Sequence, residues 1–152
     1  AFIEHKRMLE SLGCECVELR RKSDICDLDG LVLPGGESTV QGKLLRELDM
    51  FDELKERIAN GLPVLATCAG LILLASHISN DDNVYFGTLP VTVKRNAYGR
   101  QLGSFEATAR FDNSFDFTMT FIRAPYVEAI DASAKNDVRV LAEYDGKIVG
   151  VQ

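Results

Sequence analysis

No apolar run in this chain approaches the ~20 residues that a membrane-spanning helix needs. The chain opens at Ala1 without a charged-then-apolar leader, so no secretory signal is expected. Basic residues are in the minority: 17 Lys and Arg stand against 23 Asp and Glu, a net charge of −6. That balance argues against broad nucleic-acid or anionic-membrane binding, which takes a basic surface. It leaves small-molecule substrates open. Cysteine is limited to Cys14, Cys16, Cys26 and Cys68. The C-x-C spacing, with no later cysteine or histidine pair, does not match a zinc site. A disulfide framework is not expected in a chain that can bury a proper core. The expectation is a reducing, cytoplasmic setting, three structural thiols and one of chemical interest, with no metal and no cofactor. Repeats, low-complexity runs and linkers are absent, and 152 residues suggest one domain.

The thiol of interest is Cys68. It sits in Leu62-Pro63-Val64-Leu65-Ala66-Thr67-Cys68-Ala69-Gly70-Leu71-Ile72-Leu73-Leu74-Ala75. A short apolar run precedes it, small residues flank it and a helix-like apolar stretch follows. That pattern predicts a strand, a sharp turn and a helix, with the thiol at the turn. Such a turn lifts a side chain out of the sheet, and a thiol set at a helix N-terminus is more acidic than a free one. The first amides of the helix can stabilise an oxyanion. The serine counterpart is the G-x-S-x-G elbow of hydrolases; here Ala66-x-Cys68-x-Gly70 replaces one glycine by alanine. The plainer alternative is a buried cysteine acting as a small hydrophobe.

Periodicity predicts a helix over 2–12, with Met8, Leu9 and Leu12 on one face and Gly13 as its stop. Cys14 to Leu19 reads as a short strand, and Gly30 to Pro34 as a buried one. Residues 42–59 read as helical, broken near Asp49 and ended by Asn60-Gly61. The helix after Cys68 is expected to reach about Ile78. This order implies a largely parallel sheet covered by helices. The second half changes character. Val91 to Lys94, Phe105 to Phe111, Phe117 to Ile122, Val138 to Ala142 and Lys147 to Val151 read as strands, the last two joined at Asp145-Gly146. The sheet is therefore expected to be mixed, parallel first and antiparallel later.

Two further kinds of motif stand out. Pro34-Gly35-Gly36-Glu37-Ser38-Thr39 follows a buried strand. Paired glycines there let backbone amides point at a ligand, and Ser38 or Thr39 could cap the next helix. The alternative is an ordinary strand-to-helix turn. Lys94-Arg95-Asn96-Ala97-Tyr98-Gly99-Arg100-Gln101 and Ile122-Arg123-Ala124-Pro125-Tyr126 place arginines at strand ends, where a guanidinium can hold a carboxylate. The alternative for each is a solvated surface arginine.

PGGEST, TCAGLILLA, RNAYGRQ and FIRAPYVE, in this order and spacing, resemble the glutaminase subunit of pyridoxal 5′-phosphate synthase, the PdxT/SNO family. It is a branch of the class I, triad-type glutamine amidotransferases. The resemblance spans essentially the whole chain, from Glu4-His5 to Gly146-Lys147-Ile148-Val149. It implies a three-layer, flavodoxin-like α/β/α fold and hydrolysis of L-glutamine to glutamate and ammonia. It further implies a (β/α)₈ barrel synthase partner that receives the ammonia. Cys68 matches the nucleophile that forms a γ-glutamyl thioester. The amides of Gly36 and Ala69 match oxyanion donors. Gly36, Glu37 and Ser38, with Arg95, Ile122 and Arg123, match substrate-binding positions.

The family pattern also opens with a strand ending in Gln-Gly and closes with a strand and a His-Pro-Glu segment that supplies the base and its carboxylate. None of these is in the chain. Its two histidines, His5 in the first helix and His77 expected at the end of the helix after Cys68, do not fit the base role. The expectation is a single amidotransferase domain over 1–152 that is part of a longer chain. Two alternatives are a catalytically incomplete partner subunit and a different cysteine hydrolase on the same fold, such as a DJ-1/PfpI-type peptidase.

Overall fold

Three helices in the first half stop in the same way, and that repetition sets the layout. A computed structural model describes residues 2–98 and 104–152. Gly99, Arg100 and Gln101 of the RNAYGRQ motif lie outside the described residues. Helix α1 (Phe2–Ser11) ends where Gly13 takes a φ of +88°. The Gly13 and Cys14 amides reach back to the carbonyls of Glu10 and Leu9, both at 3.0 Å. This is the double hydrogen bond of a Schellman stop. Asp49 (φ +54°) ends α2 (Ser38–Glu47) by the same pairing, and Gly61 (φ +98°) ends α3 (Phe51–Ala59). The break expected near Asp49 is thus a left-handed residue between two helices.

The chain divides into two compact units, Ala1–Leu74 and Ala75–Gln152. In the first, β1 (Leu31–Leu33) and β2 (Val64–Ala66) pair in parallel, Leu31 opposite Val64 and Leu33 opposite Ala66. Helix α4 (Ala69–Leu74) packs on both strands and on α2. Ile25, Leu33, Met50, Leu54, Ile72 and Leu73 are buried.

One expectation fails here. Cys14 to Leu19 forms no strand: no described strand pairs with it, and alternation without a ladder partner does not make one. Helix α1 forms as expected, but its apolar face is not covered. Met8 and Leu12 are 63% and 72% exposed.

In the second unit, β3 (Ala75–Ile78), β4 (Leu89–Lys94), β5 (Phe105–Phe111), β6 (Phe115–Phe121), β7 (Tyr126–Ile130), β8 (Val140–Tyr144) and β9 (Lys147–Val151) form one sheet. Its spatial order is β3-β4-β7-β9-β8-β5-β6. Only β3 and β4 pair in parallel; every other neighbour pair is antiparallel. Asp145 and Gly146 both have positive φ, as the tight turn joining β8 to β9 requires.

A second expectation fails at β3. The helix after Cys68 stops at Leu74 rather than Ile78, and Ala75 to Ile78 pair with Leu89 to Val93. Pairing with a neighbouring strand overrides a local apolar run that reads equally well as helix. His77 therefore lies on a strand, where Nδ1 meets Ser76 Oγ at 3.1 Å.

Candidate active site

The turn at Cys68 is built from three enforced contacts. β2 ends at Ala66, and the Thr67 amide donates to the Leu33 carbonyl at 3.0 Å, extending the ladder by one bond. Cys68 then takes a φ of +50°, a left-handed conformation that a non-glycine residue adopts only when its surroundings demand it. The Gly70 amide closes on the Thr67 carbonyl at 2.8 Å, and α4 begins. Gly70 has no room for a side chain: a Cβ there would lie 2.1 Å from the Leu33 carbonyl oxygen. That close approach seats α4 against β1 and fixes where the thiol is presented. Ala69, the first residue of α4, is fully buried, whereas Cys68 is half-buried.

The PGGEST loop runs beside this turn. A Cβ on Gly35 would lie 3.5 Å from Cys68 Cβ, so the loop and the thiol are immediate neighbours. Gly36 has a φ of +145°, open to glycine alone. Neither Ser38 nor Thr39 caps α2 as expected. Glu37 holds the N-cap position without a side-chain cap, and Ser38 is the first helical residue. Ser38 is 1% exposed, and its hydroxyl has no hydrogen-bond partner among the described residues. Gln41, which the sequence did not single out, reaches back over the loop. Its Nε2 donates to the Pro34 carbonyl at 3.1 Å and to the Gly35 carbonyl at 3.5 Å. His5 meets the neighbour of the thiol rather than the thiol, with Nε2 3.4 Å from Thr67 Oγ1.

In the second unit the two arginine motifs converge. The Ala97 amide donates to the Ala124 carbonyl at 3.1 Å. Tyr98 stacks edge-on against Tyr126, with ring centroids 6.2 Å apart, and against Phe105 at 5.6 Å. Lys147 Nζ lies 4.9 Å from the Tyr98 ring centre. Burial pushes the Tyr98 phenol above its ordinary value.

Arg95 follows the last residue of β4. The Asn80 side chain clamps its backbone on both sides, accepting from the amide and donating to the carbonyl, each at 3.1 Å. The Arg95 guanidinium forms an ion pair with Asp81, both side chains largely buried. Asp81 accepts from the Asn83 amide at 3.0 Å. That bond, then the Asn83 side chain and Arg95, hold its carboxyl below the usual range. Arg95 is therefore not the solvated arginine of the plainer alternative. Ile122 and Arg123 are exposed, and Arg123 adopts a φ of +46° at the turn between β6 and β7.

Gln41 and the Asn80–Asp81 pair were missed because neither carries a motif. Their roles come from which backbone atoms they reach.

Comparison with known proteins gives the family. A family model described as the SNO glutamine amidotransferase family matches residues 1–152. A pyridoxal 5′-phosphate synthase subunit PdxT from Desulfitobacterium hafniense (strain DSM 10664 / DCB-2) is 61% identical, over all of this chain and 75% of that protein. PdxT proteins from Methanocorpusculum labreanum and Haemophilus influenzae (strain PittEE) are 54% and 50% identical, again over the whole chain and over 78% and 79% of their own lengths. A solved glutamine amidotransferase superposes on the entire chain and 79% of its own, with a TM-score of 0.89 and 40% identity. The mixed α/β architecture expected from the sequence is thus that of a known amidotransferase. This chain belongs to the SNO glutamine amidotransferase family.

Proposed function

We propose that this protein is the glutaminase subunit of a pyridoxal 5′-phosphate synthase, with residues 1–152 acting as one amidotransferase domain. Cys68 Sγ attacks the carboxamide carbon of L-glutamine, and the amides of Gly36 and Ala69 receive the charge that develops on oxygen. Collapse of the tetrahedral intermediate expels ammonia and leaves a γ-glutamyl thioester. Water then releases glutamate. The family resemblance assigns the accompanying proton transfers to the histidine of its His-Pro-Glu segment. Gly36, Glu37 and Ser38 form the glutamine-binding segment, in which Gly36 acts through its amide on the carboxamide oxygen, and Arg95, Ile122 and Arg123 hold the substrate's amino-acid end. No metal or cofactor takes part in these steps.

One observation carries the reading: the left-handed Cys68 at a strand-to-helix turn, with Gly70 jammed against Leu33 and Gly35 running beside the Cys68 side chain. That construction spends backbone strain on presenting a sulfur. A buried structural cysteine needs none of it. The orphaned Ser38 hydroxyl beside the glycine pair supports a ligand there.

The partner is a synthase subunit with a (β/α)₈ barrel that consumes the ammonia. The relatives' shared name supports the synthase, and the family resemblance supplies the barrel. We place the protein in a reducing, cytoplasmic setting, a reading that rests on its few, unpatterned cysteines in the sequence. Among the described residues no helix is long and apolar enough to cross a membrane.

The test is ammonia release from glutamine by the full-length protein with its synthase. Turnover is expected, along with co-elution of the two proteins that glutamine strengthens. A well-folded pair that releases no ammonia would reject the reading.

A further inference from the structure

We infer that Gln41 is a positioning residue that sets the orientation of the Gly35–Gly36 peptide and so aims the Gly36 amide. The inference rests on the proposed role of that amide as an oxyanion donor. In a trans peptide the carbonyl and the N–H of one plane point in opposite directions. Whatever holds the Gly35 oxygen therefore decides where the Gly36 N–H points. A peptide between two glycines has little intrinsic preference, because neither Cβ restricts its rotation. It needs an outside constraint to stay aimed.

Gln41 supplies one. Its Nε2 donates to the carbonyls on both sides of Gly35, at 3.1 Å to Pro34 and 3.5 Å to Gly35. The same nitrogen lies 3.2 Å from where a Cβ on Gly36 would stand. The side chain is thus pressed against this loop. Its base is fixed in turn: Gln41 sits in the first turn of α2, its amide bonded to the Glu37 carbonyl at 2.9 Å. Its Oε1 is buried and has no partner among the described residues. Among the described residues, no other hydrogen bond engages the side-chain amide. Donation to the Gly35 carbonyl also polarises that peptide, strengthening its N–H as a donor.

A merely structural glutamine and a positioning one differ in what they change. Loss of the two bonds frees the peptide to rotate and weakens the response to an oxyanion, while substrate binding in the ground state is left alone. The experiment uses the full-length protein with its synthase partner. Gln41→Met keeps the volume and removes both donors. Gln41→Glu sets an acceptor against two carbonyl oxygens and is the second variant. Removing an oxyanion donor outright costs ~10²–10³-fold in kcat; loosening one should cost Gln41→Met about tenfold, and Gln41→Glu more. KM for glutamine should stay within about twofold, as expected when only a transition-state contact is lost. Affinity for the γ-aldehyde analogue of glutamate, whose thiohemiacetal carries the oxyanion, should fall in parallel with kcat.

An unchanged kcat in Gln41→Met, alongside an inactive Cys68→Ala control, would overturn the inference and leave the glutaminase reading standing. A raised KM with unchanged kcat, or a fall in melting temperature with unchanged aldehyde affinity, would assign Gln41 a structural role and equally overturn it. Turnover that survives in Cys68→Ala would overturn the reading of the site and the inference with it.

Discussion

The first unit holds its chemistry by backbone, and the second by side chains. Up to Leu74 the decisive features are torsions and close approaches: Cys68 at φ +50°, Gly36 at φ +145°, and Gly70 with no space for a Cβ. From Ala75 onward the decisive features are partners. Asn80 and Asp81 hold Arg95, and an aromatic group around Tyr98 ties one arginine loop to the other. A nucleophile must be presented at one angle with little tolerance, and backbone geometry gives that. A charged substrate end needs a guanidinium in reach, and a hydrogen-bonded clamp gives that while leaving the loop adaptable. Variants should therefore fail differently in the two halves. Changes in the first should be all-or-none, and changes in the second graded.

The largest effect is expected at the thiol. Cys68→Ala should lower glutaminase turnover by about 10⁴-fold or more, since a missing nucleophile removes the covalent route. Its melting temperature should stay near that of the parent, because Cys68 is half-buried and only a sulfur is lost. Ammonia release and a thermal melt check both.

Next comes Arg123→Ala. If the guanidinium holds the substrate carboxylate, its loss costs about 2–4 kcal/mol in the transition state, or roughly 30–700-fold in kcat/KM. Arg123 is exposed, so the fold should tolerate the change. A collapse in melting temperature with unchanged kinetics would move Arg123 to a structural role and blur the contrast between the halves.

Gly70→Ala tests the backbone half. Its new methyl would stand 2.1 Å from the Leu33 oxygen and 2.8 Å from Leu33 Cβ, so α4 must shift. Overpacking of this kind costs about 3 kcal/mol. Denaturant unfolding should show that loss, and activity should fall with it. Near-normal stability would mean that the elbow is looser than its geometry implies.

The smallest effect is expected at Asp81. Its carboxyl is held below the ordinary range, first by the Asn83 amide and then by Arg95. A depressed acid stabilises the fold above its unfolded pKa, near 3.9, and that contribution disappears as pH falls through the folded value. Asp81→Asn should cost about 1 kcal/mol at pH 7, and the gap should close below about pH 4. A gap that widens in acid would contradict the assignment.

How much of this was legible beforehand follows the same division. The Cys68 turn could be read because strand, small residues and apolar helix leave a local signature. The stops at Gly13, Asp49 and Gly61 could be read for the same reason. Strand β3 could not: Ala75 to Ile78 continue an apolar helical pattern, and only pairing with β4 makes them extended. The reverse held for Cys14 to Leu19, which alternate like a strand yet have no described partner. Strand β7 has no clean alternation, with Glu128 and Ala129 both exposed, and it is pairing with β4 and β9 that makes it extended. Gln41 and Asp81 were invisible because their work depends on distant carbonyls and a guanidinium fourteen positions on. Local rules reach as far as local causes.

The central claim is that Cys68 is the nucleophile of a glutaminase, and covalent labelling tests it most directly. A glutamine-derived diazo-ketone, applied to the full-length protein and mapped by peptide mass spectrometry, should modify Cys68 alone. Glutamine should protect it. Accessibility by itself favours other sites, because Cys14 and Cys26 are exposed and Cys68 is half-buried. Label on Cys68 in preference to them is therefore what the account predicts. Label spread over Cys14, Cys16 or Cys26, or unaffected by glutamine, would contradict it.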